Sequence, residues 1–176
     1  DTMRIPLYIV APGIIDAGSK CDALTSHVDL ARTVGEFAGV DAAQQPGLGG
    51  ESMQPLWSSG STTIRDHVLF NQEWAWYPGV EHTRYASSAI FDGRYKYCRY
   101  YGIGGGANVA GMPLTGDSMQ YGRDAHFDDH DHEFYDLQED PHELVNLAMD
   151  HSRRSEIRSR FAELRAIEHE TYANGF

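Results

Sequence analysis

The sequence holds only two cysteines, Cys21 and Cys98. Two thiols cannot make a disulfide framework, and neither sits in a C-x-x-C pair, so a cysteine-built zinc or redox motif is excluded. Basic residues are also scarce: 14 Lys and Arg stand against 26 Asp and Glu, for a formal net charge of -12 and a pI near 5.0. That balance disfavours nucleic acid or an anionic membrane surface as partner. No apolar run approaches the roughly 18 residues a membrane span needs. The opening "DTMRIPLYIVAPG" lacks the basic region that begins a signal peptide, and because it starts on Asp1 rather than Met, upstream sequence is expected. A G-x-S-x-G elbow, a P-loop and an H-E-x-x-H helix are missing too. What remains is 176 residues, 41% hydrophobic and 23% charged, a composition for a globular fold with a genuine core.

"RIPLYIVAPG" is a compact apolar run closed by Pro12-Gly13, the pattern of a strand buried on both faces. Little after it looks like a parallel neighbour, so the strand is expected to belong to a larger sheet. "SHVDLARTVGEFAGV" predicts a helix. Ser26 and Asp29 have capping-box spacing, Leu30, Val34, Phe37 and Ala38 recur at helical intervals, and Gly39 supplies the stop. Residues 41–66 read as loop with a turn of helix near "MQPLW". "DHVLFNQEWAW" reads as a strand entering an aromatic loop, and "SSAIFDGRYKYCRYY" as a hairpin turning at Asp92-Gly93. Around residues 150–172, Ile157, Phe161 and Leu164 mark an amphipathic helix.

The run "HFDDHDHEF" raises the question of a metal. His130 and His132 would share one strand face with Phe134, and an H-x-H pair joined by His126 is a conceivable zinc site. A solvated acidic loop entering a strand is the favoured reading, and no metal is assigned. In "DPHE", Asp140, Pro141 and Glu143 have the spacing of a capped short helix. "GIGGGA" at 102–107 has dinucleotide-loop spacing, but "NVAGMPLTGD" after it cannot supply the helix such a loop requires. Cys98 sits mid-strand like a small core hydrophobe, and Cys21 lies in a polar stretch beside Lys20. No complete catalytic constellation is legible. The aromatic loop is the best candidate for substrate contact: Trp74, Trp76 and Tyr77 could stack on a ring, with His82 and Arg84 at an anionic group.

Taken in order, "RIPLYIVAPG", "SHVDLARTVGEFAGV", "GESMQPLW", "RYKYCRY" and "EFYDLQEDPHELVNLA" resemble the C-terminal portion of a type I, formylglycine-dependent sulfatase of the alkaline phosphatase superfamily. The resemblance implies an α/β protein whose present segment is α+β. Residues 1–66 would end the catalytic core and contribute one strand of its large sheet. Residues 67–176 would form a small antiparallel sheet packed by the C-terminal amphipathic helix. It also implies hydrolysis of sulfate esters of a sugar or aryl alcohol, a calcium ion, and a periplasmic, secreted or lysosomal setting. The family's nucleophile, in a C-x-P/A-S-R signature, its calcium ligands and its catalytic His and Lys lie mostly upstream. Cys21, followed by "DALT", and Cys98, followed by "RYYG", do not match that signature. The segment alone is therefore expected to be inactive, with the N-terminal sulfatase core as its partner. Phosphate or phosphonate ester hydrolysis, or a non-catalytic binding module, are the alternatives.

Overall fold

The computed structural model describes residues 4–44, 47–58, 61–72, 86–101 and 125–173. These form two compact units, Asp1–Val68 with Thr171–Phe176, and Leu69–Glu170.

The first unit is built around helix α1, Val28–Phe37. Its end is a Schellman motif. Gly39 takes φ +79°, its amide donates to the Glu36 carbonyl, and the Val40 amide donates to the Gly35 carbonyl. A residue with a β-carbon would be strained at that left-handed position. At the other end the Ser26 amide donates to Asp29 Oδ2 at 2.6 Å, half of the expected capping box.

The buried side of α1 is polar. Asp29 is fully buried, and it accepts from the Glu51 amide at 2.8 Å and from the Arg65 guanidinium. One turn on, the buried Thr33 hydroxyl donates to the Asp29 carbonyl and accepts from the Met53 amide. Asp29 and Thr33 thus fasten residues 51–53 along the helix. Gly50 makes the close approach possible, because a β-carbon there would lie 2.5 Å from the Val28 carbonyl oxygen. The short helix α2, Pro55–Ser58, follows, and Trp57 stacks on Phe37.

Met53 is buried in this unit, but many of its apolar residues look outward. Ile5, Leu7, Tyr8, Val10, Ile14, Val28, Val34 and Phe37 are all exposed. Residues 4–12 form no strand, contrary to the expectation, because no described segment pairs with them. A strand exists only through ladder bonds to a neighbour.

The second unit is a four-stranded sheet ordered β1-β2-β3-β4 (Val68–Gln72, Ala86–Phe91, Tyr95–Tyr101, Asp131–Asp136). Helix α3, Arg154–Ala173, supplies its other layer. The β2–β3 and β3–β4 pairs are antiparallel. The β2–β3 turn is held by Asp92, whose Oδ1 accepts from the amides of Arg94 and Tyr95, while Gly93 takes φ +98°. This is the expected hairpin. Register puts Ile90, Tyr97 and Phe134 in one row, and with Phe127, Ile157 and Leu164 they form the core. The α+β architecture of the segment is as the sequence implied.

After β4 the expected capped helix does not form. Glu143 has φ +56°, which no helical residue adopts, and its carboxylate pairs with Lys96 instead. The Asp140 carboxylate reaches past it to the Val145 amide at 2.8 Å. A 3₁₀ turn, Leu147–Met149, comes later, capped by Asn146. Asn146 also ties back to β4, accepting from the Phe134 amide and donating to the His132 carbonyl.

Candidate functional site

The three histidines once considered for a metal have other work. His132 lies beside Tyr97, whose hydroxyl meets its Nδ1 at 2.8 Å, while its Nε2 meets the Phe127 carbonyl at 3.0 Å. The carbonyl can only accept, so Nε2 carries the proton and Nδ1 accepts from Tyr97. That leaves no nitrogen lone pair for a metal. Its ring stacks on Phe127 at 4.3 Å. His130 is buried 6.3 Å away, against Phe161 and the Arg99 guanidinium. His126 is exposed; its ring accepts from the Asp128 amide. Among the described residues no group of three His, Cys, Asp or Glu is placed to hold a metal ion.

Burial holds the His132 pKa below its ordinary 6.5, against the pull of the Phe127 carbonyl. A base whose folded pKa is lowered stabilises the fold fully above its unfolded value. That contribution is lost as pH falls from about 6.5 through the lower folded pKa. Asp136, held low by the Arg94 fork, and Asp140, held low by backbone amides, lose theirs further down, below the ordinary 3.8. Urea midpoints taken between pH 8 and 4 should therefore start to fall near pH 6.5. In His132→Gln the decline should begin only near the carboxylate range, and an unaltered profile in that variant would exclude the assignment.

Behind the histidines lies a group the sequence reading missed. Arg99 is fully buried, mid-strand on the core face of β3, and donates to Glu168 of α3 at 2.5 Å. Its guanidinium also lies over the rings of Tyr101 and Phe161. The signal was present: strand alternation groups Arg99 with Tyr95, Tyr97 and Tyr101, and helical spacing groups Glu168 with Ile157, Phe161 and Leu164.

Neither cysteine is placed as a nucleophile. Cys98 is buried in β3 and burial pushes its thiol up to about 12, so it is protonated and inert near neutrality. Cys21 is exposed on the rim of a hollow of about 630 Å³ in the first unit, whose lining includes Ile5, Leu7, Ile14 and Trp57. The proposed substrate residues Trp74, Trp76, Tyr77, His82 and Arg84, and the glycine-rich run at 102–107, lie outside the described residues. Among the described residues no helix is long and apolar enough to cross a membrane.

The described residues thus form a small antiparallel sheet under one helix and a helix-and-loop unit that exposes apolar side chains. The family described as N-sulphoglucosamine sulphohydrolase, C-terminal, matches residues 1–106, and the chain belongs to it. It is 28% identical over 155 residues to an ulvan-active sulfatase of Formosa agariphila, covering 83% of this chain and 29% of that protein. It is also similar to a solved structure of BT4656 in complex with its substrate D-glucosamine-2-N,6-O-disulfate. The TM-score is 0.60 at 21% identity, over 93% of this chain and 28% of the other. The chain thus spans less than a third of the length of the relatives it matches, in agreement with a C-terminal portion of a sulfatase.

Proposed function

We propose that the natural full-length protein hydrolyses sulfate esters of a carbohydrate, and that this chain is the C-terminal part that braces its catalytic core. The family match over residues 1–106 carries the reading. The ulvan-active relative and the sulfated glucosamine bound by the structural neighbour support a sugar as the alcohol.

The division of labour follows from what the chain exposes. The exposed apolar side chains Ile5, Leu7, Tyr8, Val10, Ile14, Val28, Val34 and Phe37 would be covered by the catalytic core. On this reading residues 4–12 join the large sheet of the core as a strand, gaining the ladder bonds they lack here. The 73–85 segment then contributes to the substrate pocket. Trp74, Trp76 and Tyr77 stack on the sugar, while His82 and Arg84 take up its anionic groups.

Assaying the full-length polypeptide on a sulfated monosaccharide and on the matching phosphate monoester tests this. Faster turnover of the sulfate is expected, with KM for it raised in Trp76→Ala and Arg84→Ala at unchanged stability. Preference for the phosphate would replace the reading with phosphoryl transfer.

A further inference from the structure

Two guanidiniums converge on a single carboxylate at the start of α3. The Asp128 carboxylate pairs with the Arg154 guanidinium and accepts from Arg158 at 3.1 Å on both of its oxygens, while the neighbouring His126 ring accepts from the Asp128 amide. All four groups are solvent-accessible, with His126 70% and Arg154 53% exposed. Both guanidiniums are braced over the face of Phe127, at 4.3 and 5.4 Å from its centroid, and Phe127 itself is fixed in the core. Cation–π seating of this kind restricts where the guanidiniums can go.

The location is costly for cations. The N-terminal end of a helix carries a positive partial charge, so arginines there destabilise it. This chain nevertheless places Arg153, Arg154 and Arg158 in "HSRRSEIRSR", against an overall charge of -12. Arg153 is already met by Glu156. Arg154 and Arg158 share one carboxylate between them, which leaves the cluster cationic.

We propose that Arg154 and Arg158 form a secondary binding site for a sulfate group of a polymeric sulfated carbohydrate, with Asp128 occupying it when no chain is bound. The site rests on the sulfatase reading above and supplies its substrate class, a sulfated polysaccharide rather than a small ester. A sulfate monoester presents one negative charge and three acceptor oxygens. It can replace a carboxylate between two guanidinium forks, which suit oxyanions bidentately. The entering sulfate displaces Asp128 toward solvent and anchors the polymer away from the bond that is cleaved.

The two kinds of variant should move in opposite directions. In the full-length protein, binding of a fluorescent heparin octasaccharide would be followed by anisotropy at low ionic strength. Arg154→Gln with Arg158→Gln should weaken it about tenfold, a loss of about 1.4 kcal/mol. Asp128→Asn should tighten it several-fold, and added salt should erase both differences. The chemically desulfated octasaccharide should bind poorly, and inorganic sulfate should compete only at far higher concentrations. Equal binding by wild type and the double arginine variant, or no tightening in Asp128→Asn, would overturn the site. Sulfate competing as well as the octasaccharide would also overturn it, reducing the cradle to a free-anion site. Turnover of a monosulfated sugar by the same samples keeps the two proposals apart. Its absence in wild type would refute the sulfatase reading without touching the binding result. Retained turnover in the arginine variant with weakened octasaccharide binding is the signature of a secondary site.

Discussion

Glu168→Ala should destabilise the sheet-and-helix unit by about 3–5 kcal/mol, the usual cost of breaking a buried ion pair by removing one partner. The carboxylate is 3% and the guanidinium 0% exposed, so water cannot replace what is lost. Arg99 stays fixed between Ser88 and His132 on neighbouring strands with its charge inside the core. Replacing both partners with apolar residues of similar size, Arg99→Met with Glu168→Leu, should recover most of the loss, because the desolvation of two charges disappears with the attraction between them. Urea denaturation of the single and double variants separates these outcomes. A single variant that melts like wild type would mean that the pair does not hold α3 to the sheet.

The second large effect concerns the uncovered face of the first unit. Val10→Ser and Val34→Ser change side chains that are 87% and 66% exposed in this chain. Made in the separate chain, they should leave the melting transition in place and reduce its tendency to aggregate. Made in the full-length protein, each should cost roughly 1.5–3 kcal/mol, since a buried aliphatic or aromatic side chain contributes about that much. Thermal unfolding in both settings measures the difference. Equal tolerance in both would show that nothing covers this face and would remove the argument for a docked core.

What could be read from the sequence divides along a physical line. The hairpin was legible because Asp92-Gly93 encodes its turn locally, and α1 and α3 because helical spacing is local as well. The apolar run at 4–12 was read as a strand, but a strand needs ladder bonds to a neighbour, and no described segment supplies them. Apolar spacing in α1 marked Val34 and Phe37, whereas the buried side carries Asp29 and Thr33. Their partners Glu51, Met53 and Arg65 are 20 to 36 residues away in sequence, beyond any local pattern. The "DPHE" spacing suggested a helix, and it was overruled by the Lys96–Glu143 pair and the Asp140–Val145 bond, both set by tertiary context. For the histidines, only the structure could show that both ring nitrogens of His132 are engaged. Family resemblance rested on the order of five segments rather than on any site. That is why it identified the family and no site residue.

Release of sulfate from a sulfated oligosaccharide, followed side by side for the full-length polypeptide and for residues 1–176 alone, tests the account most directly. The full-length protein should liberate sulfate and the separate chain should stay at the uncatalysed rate, because neither Cys21 nor Cys98 stands in the C-x-P/A-S-R signature of the family's nucleophile. Turnover by the separate chain, or none by the full-length protein, would contradict it.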